Sequence, residues 1–346
     1  MKAVVKTRPE PGFVEVIDVP IPKIKSDEVL VKIKSTGICG TDILLADWRY
    51  TGRYPVKPPI ILGHEGAGEV VEVGGNVRGL KPGDRVGLEA LLGCGQCHYC
   101  RRGYINLCPN WDHLGISFDG TFAEYIAFPA KGTHVLPQSI SFDQGAFLEP
   151  ISIVAQAMET NPVAVDDTVV IVGPGPLGLF TLQAAKAAGA AKVIMIGTSS
   201  DEKRLQIAKN LGADYVVDLG NTDAYKLVKD LTDGIGADVV FEAGGTTGAV
   251  EQAILMAHGA GKVFLLGFAT EARINPLVQI VRQNLTIKGV VGSLPLHYET
   301  AIRWLENDTI RIEPMVGDHV FGLDQANRGF ELMKEKQAGK VLFRIE

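Results

Sequence analysis

The stretch from Thr168 to Gly197 constrains this chain most. It reads TVVIV, then the turn Gly173-Pro-Gly175-Pro-Leu-Gly178, then LGLFTLQAAKAAG at helical spacing, then KVIMIG. A strand apolar at every position suits a parallel sheet covered on both faces. GxGxxG alone is a weak signal, but a strand before it and a helix after it give each glycine a task. Gly173 closes the turn, Gly175 lets backbone approach a pyrophosphate, and Gly178 lets helix and strand pack. The helix amino end supplies the anion site. Gly173, Gly175, Pro176, Leu177 and Gly178 are therefore predicted to bind a dinucleotide. DEKRLQIAKNLG, ADYVVD, ADVVFEAGG, GKVFLLGF and LTIKGVVGS continue the alternation. Together they predict an α/β fold with a doubly wound parallel sheet and right-handed crossovers.

The first 150 residues follow another pattern. MKAVVKT, GFVEVIDVP, EVLVKIKSTG, GEVVEVGGNV and DRVGLEALL run or alternate apolar over strand lengths, with Gly, Pro and Asp between them. At 346 residues the chain exceeds what one core usually serves. The tail from Leu294 is mixed and ends in KVLFRIE, predicted to return as a strand to the first unit. A net charge of −6 and a pI near 5.7 argue against nucleic-acid or membrane-surface roles, which usually need a basic patch. Apolar runs are short and broken by glycine, and no leader pattern is seen, so the expected location is the cytoplasm.

All five cysteines fit zinc-ligand spacing, which suits a reducing cytosol better than a secreted disulfide scaffold. Cys94-x2-Cys97-x2-Cys100-x7-Cys108 is a closed four-thiolate set and predicts structural zinc. Its last interval differs from that of iron–sulfur runs. Cys39 in GICGTD, His64 and Glu65 in GHEGAGEV, and Glu149 in FLEPIS form a mixed set that leaves room for substrate or water. An open zinc lowers the pKa of a bound hydroxyl, and Thr41 is placed to carry that proton away. The second strand, KVIMIG, ends in Gly197 where an acid would grip the 2′-hydroxyl of NAD. Thr198, Ser199 and Arg204 follow and are candidates for cofactor contact, and the choice between NAD and NADP is open. Trp48, Tyr50 and Phe118 are candidate pocket residues; Arg49, Arg53 and His297 are candidate substrate anchors.

In the order GHEGAGEVVEVG, four-cysteine loop and GxGxxG turn, the chain resembles the zinc-dependent medium-chain alcohol dehydrogenase family over essentially its full length. GICGTD, and LEP rather than a cysteine at Glu149, resemble its polyol (sorbitol) and threonine dehydrogenase branch. The resemblance implies a GroES-like β-rich catalytic domain at 1–150, completed by 294–346, around a Rossmann domain at 151–293. It implies catalytic zinc at Cys39, His64 and Glu65, with Glu149 bound directly or through water, and a second zinc per chain at Cys94, Cys97, Cys100 and Cys108. By the same likeness Thr41 starts a proton relay, and Gly267, Phe268, Gly292 and Ser293 lie beside the nicotinamide. The expected activity is reversible hydride transfer between NAD(P) and a secondary alcohol of a small polyol or sugar-like substrate. L-Threonine or butanediol is the nearest alternative, and a non-catalytic nucleotide-binding protein on the same fold is the alternative from another class. A homodimer or homotetramer is expected, with no nucleic-acid or membrane partner.

Overall fold

The computed structural model describes residues 1–52, 55–160, 163–269, 271 and 277–346. Glu28–Gly37 is the hub of a seven-stranded sheet. It pairs antiparallel with Glu65–Val73, with Tyr125–Pro129 and, at its far end, with Leu342–Arg344. Its register sets Gly37 opposite Glu65. Residues just past one strand and just before the other, Cys39 and His64, thereby become neighbours. Gly37 is required at that crossing: a Cβ there would sit 2.3 Å from Glu65 Oε2 and 2.6 Å from the Phe147 ring. The hub then runs into a short helix, α1 (Gly40–Ala46). A smaller sheet of Lys2–Lys6, Val14–Asp18 and Ile60–Ile61 flanks this unit.

Helix α2 (Leu148–Thr160) leads out of this unit. The second sheet is wholly parallel. Its strands β1 (Thr168–Val172), β2 (Lys192–Gly197), β3 (Tyr215–Asp218), β4 (Ala237–Glu242), β5 (Ala257–Leu265) and β6 (Thr286–Gly289) stand in the order β3-β2-β1-β4-β5-β6. All five residues of TVVIV in β1 are buried, as two covered faces demand. The order reverses beside β1, and the crevice at such a switch point is where this architecture binds ligands. Helix α3 (Pro176–Ala187) opens with proline in its first turn, where the missing N–H costs nothing, and the chain turns after it at Gly189 (φ +95°). Helix α4 (Glu202–Asn210) follows β2. This is the expected α/β fold, a GroES-like β-rich part and a Rossmann-like parallel sheet.

The tail comes back as α5 (Ala326–Lys334) and the strand Leu342–Arg344, whose Phe343 pairs with Thr36. Val341, Leu342 and Phe343 are at most 1 % exposed, so the chain's end is built into the core of its beginning. Among the described residues, no helix is long and apolar enough to cross a membrane.

Candidate active site and metal centres

Two groups of ligand-type side chains assemble among the described residues, and both were legible as spacing. In the first, one atom each from Cys39, His64 and Glu65 lies within 4.8 Å of the others. Zinc bonds of about 2.0–2.3 Å can bridge such a set, and thiolate, imidazole and carboxylate are its usual donors. Two residues that the spacing did not single out support it. Asp42, fully buried, accepts the Cys39 N–H at 2.8 Å through Oδ2 and places Oδ1 3.5 Å from His64 Nδ1. A carboxylate behind a ligating histidine fixes its ring and tautomer. Burial opposes the imidazolium, yet Asp42 and Cys39 outweigh it and hold His64 well above the ordinary imidazole value. Lys340, also buried, donates to Glu65 Oε1 at 2.5 Å, to its Oε2, and to the Ile38 carbonyl at 3.0 Å. That lysine stands 275 positions from its partner, so only the fold reveals the pair.

Glu149, in the first turn of α2, lies outside the three-atom group but feels its charges. Burial pushes its carboxyl up to about 7; Glu65 and Asp42 push the same way, against His64 and Lys340. Thr41 occupies the first turn of α1 and is partly exposed. His113 was not anticipated. Its ring meets His64 edge-on at 5.2 Å, and its Nδ1 bonds the Leu114 carbonyl at 2.8 Å. Burial and the neighbouring His64 lower it to about 3, leaving it neutral. Trp111 packs on His113 at 6.2 Å and lines a cleft of about 360 Å³ with Pro55, Lys57, Ile60, Asn110 and Ser117.

The second group is Cys94, Cys97, Cys100 and Cys108, likewise within 4.8 Å of one another. Backbone N–H groups of Cys94 and Asn110 point at Cys108 Sγ (3.4 and 3.3 Å), and that of Cys100 points at Cys97 Sγ (3.4 Å). The N–H groups of Gln96 and Cys97 lower the Cys94 thiol to about 7, while burial pushes Cys100 up to about 12. Four sulfurs in one small loop with inward-facing amides fit a tetrahedral thiolate metal and leave no open corner.

At the nucleotide turn each glycine has the geometry its task requires. Gly173 (φ +104°) donates to Ile196, and a Cβ on it would sit 2.5 Å from Gly244 N. Around Gly175 there is open space. A Cβ on Gly178 would lie 2.0 Å from the Gly173 carbonyl oxygen. Pro176 and Leu177 begin α3. Gly267 packs on Gly245, where a Cβ would meet its N at 2.3 Å, and Phe268 beside it is 78 % exposed. Gly292 (φ +57°) rests against Leu91. Ser293 is buried and shares a 2.7 Å hydrogen bond with Ser152.

Other candidates are placed differently. Arg204 was expected beside the cofactor; it is instead buried, donating to the Ala338 and Met333 carbonyls at 2.8 and 3.4 Å. Its helical position faces the returning tail, which linear spacing does not disclose. Thr198 and Ser199 bond Asp201 and Asp218 respectively. Phe118 stacks on Phe128, Trp48 lies under Lys6, and Arg49 pairs with Asp47. His297 bonds Glu159 at 2.6 Å and the Leu294 N–H at 2.9 Å, so it caps a helix. Tyr50 remains near the site, half-buried and within electrostatic reach of His64. Arg53 lies outside the described residues.

Residues 25–138 match the family described as alcohol dehydrogenase GroES-like domain, and residues 176–307 match that described as zinc-binding dehydrogenase. L-threonine 3-dehydrogenase from Pyrococcus furiosus is 38 % identical over 100 % of this chain and 99 % of its own. The chain belongs to the zinc-dependent medium-chain alcohol dehydrogenase family. The sorbitol dehydrogenase of Halalkalibacterium halodurans is 36 % identical, covering 99 % of this chain and 98 % of its own. The solved galactitol-1-phosphate dehydrogenase of Escherichia coli superposes with a TM-score of 0.91 at 31 % identity, over 100 % of both chains. The enzyme is thus a dehydrogenase in which the cysteine sets and the nucleotide turn occur together.

Proposed function

We propose that the enzyme oxidises a secondary alcohol of a small polyol or sugar-like substrate, reversibly, with NAD(P) as hydride acceptor. The observation that carries this is the convergence of Cys39, His64 and Glu65, with Asp42 behind the imidazole. These three residues would hold one zinc, with Glu149 beside them, and the four-cysteine loop a second. When bound, the catalytic metal supplies Lewis acidity that lowers the substrate hydroxyl's pKa. Thr41 takes that proton outward. Asp42 keeps the His64 ring in place, and Lys340 holds the Glu65 carboxylate. Gly175 admits the pyrophosphate, while the Gly267–Phe268 and Gly292–Ser293 turns border the nicotinamide. Sorbitol and galactitol-1-phosphate dehydrogenases among the relatives support a polyol.

L-Threonine is the second reading, favoured by the 38 % identity to threonine 3-dehydrogenases. Initial rates over polyols, L-threonine and butanediols, each with NAD and NADP, decide between them; polyols should give the highest kcat/KM. Metal-free protein that still turns over polyols would refute the zinc role.

We take the catalytic unit as residues 1–150 with 294–346, around 151–293, because the strand Leu342–Arg344 pairs with the amino-terminal sheet. The outer strand β6 is mostly exposed, and Val281 beside it is 77 % exposed. This supports a homodimer or homotetramer joined at that edge. Five cysteines that all fall in metal-ligand groups support a reducing, cytoplasmic setting.

A further inference from the structure

The choice between the two nicotinamide dinucleotides is made just past β2, where the cofactor's adenosine ribose ends. We propose, building on the dehydrogenase reading, that the enzyme prefers NADP and that Ser200 and Lys336 take its 2′-phosphate. In this architecture an acid at the end of the second strand grips the ribose diol and repels a phosphate. Here β2 ends in Gly197, which offers no acid, and a side chain there would crowd its neighbours. A Cβ would come within 2.9 Å of Pro174 Cγ and 3.0 Å of Leu205 Cδ2.

Two of the neighbouring acids, Asp201 and Asp218, are engaged elsewhere. Asp201 is 6 % exposed; its Oδ2 accepts the Thr198 N–H at 3.0 Å and the Thr198 hydroxyl at 2.7 Å, and its Oδ1 pairs with Lys336 at 2.8 Å. Asp218, at the end of β3, closes its own turn by accepting from Ser199 Oγ, the Gly220 N–H and Asn221 Nδ2 at 2.8–3.0 Å. Glu202 stays in the first turn of α4, where the helix dipole favours it. None of the three stands at the strand end in the gripping position.

What the loop does present are donors. Ser200 Oγ is exposed and lies 2.8 Å from Thr198 Oγ1 and 2.9 Å from Lys336 Nζ. The ammonium of Lys336 has three protons, of which Ser200 and Asp201 engage two. Among the described residues the third has no partner and can meet a phosphate oxygen, and such charge-assisted bonds are the strong ones.

Lys336 comes from the opposite unit, in the turn between α5 and the last strand. Its backbone is left-handed (φ +57°) at the end of α5, where the Lys336 and Gln337 N–H groups donate to the Met333 and Leu332 carbonyls. Arg204 braces this turn by donating to the carbonyls of Met333 and Ala338 on either side of Lys336. Arg204 is therefore a positioning residue: it does not touch the dinucleotide but sets the lysine that does.

The test is titration of NADPH and NADH into the holoenzyme without substrate, read by nicotinamide fluorescence. NADPH should bind at least about tenfold more tightly, the scale of one such bond. K336M and S200A should each weaken NADPH about tenfold or more beyond any effect on NADH, while K336R restores the preference. R204M should shift the same ratio in the same direction. Equal or tighter NADH binding would overturn the proposal, as would a K336M variant that weakens both dinucleotides equally. Binding of neither dinucleotide would instead sink the dehydrogenase reading itself.

Discussion

Asp42 carries more of the site than any ligand-type count would suggest. It joins the two ends of the ligand set, taking the N–H of Cys39 and facing the imidazole of His64, with no solvent to compete. Removing a partner of this kind typically weakens metal affinity about 10–100-fold. In zinc-loaded protein, Asp42→Asn should therefore lose metal held at Cys39, His64 and Glu65 to a competing chelator at correspondingly lower concentration, while metal held by the four cysteines is retained. Equal loss of both metals would mean that Asp42 merely supports the fold. The residue was visible in the sequence as the last letter of GICGTD, but nothing in the spacing separates a brace from an ordinary first-turn helix acid. Lys340 was less visible still, because a buried lysine in a tail has no local signature. Cys39, His64, Glu65 and the four thiols were legible because metal chemistry admits few donor types at few spacings.

At the scale of elements, the nucleotide turn separates two ways in which glycine serves. Around Gly175 there is open space, whereas a Cβ on Gly178 would overlap the Gly173 carbonyl oxygen at 2.0 Å. Gly178→Ala must push α3 away from β1, and overpacking of this sort costs about 1–3 kcal/mol. Thermal denaturation should show a lower melting temperature for that variant and weakened binding of NADPH. Gly175→Ala should melt like the parent yet bind NADPH poorly, since its methyl enters the space the pyrophosphate needs. If Gly175→Ala binds normally, the turn does not cradle phosphate. The strand–turn–helix was readable because its apolar runs are continuous and its glycines sit at fixed offsets. Helix α1 was not: GTDILLA is too short for periodicity to register, and its start depends on Asp42 reaching back to the Cys39 N–H. Arg204 was misplaced for a related reason. A helix position beside a cofactor loop says nothing about which face meets the returning tail.

For the whole molecule, that tail decides whether the catalytic unit exists at all. KVLFRIE was readable as a strand, but its partner was set by the fold: Leu342, Phe343 and Arg344 pair with Gly37, Thr36 and Ser35, at the end of the strand that delivers Cys39. Val341, Leu342, Phe343 and Ile345 are all at most 7 % exposed. Burying a side chain of this size contributes about 1.5–3 kcal/mol, so the four together contribute on the order of 6–12 kcal/mol. Whole domains are stable by only about 5–15 kcal/mol. Deleting residues 341–346 should thus unfold the metal-binding unit rather than soften it. The parallel sheet takes no strand from the tail, and one of its faces has its own buried core, while the other shares a core with Ala67, Leu136, Met315 and Leu342. Limited proteolysis of the truncated chain should digest the amino-terminal portion and spare a fragment around 168–289. A truncated protein that keeps a single cooperative melt near the parent's, with the parent's metal content, would show that the last strand only covers the unit. The present geometry instead makes it the piece that closes the sheet behind Cys39 and Glu65.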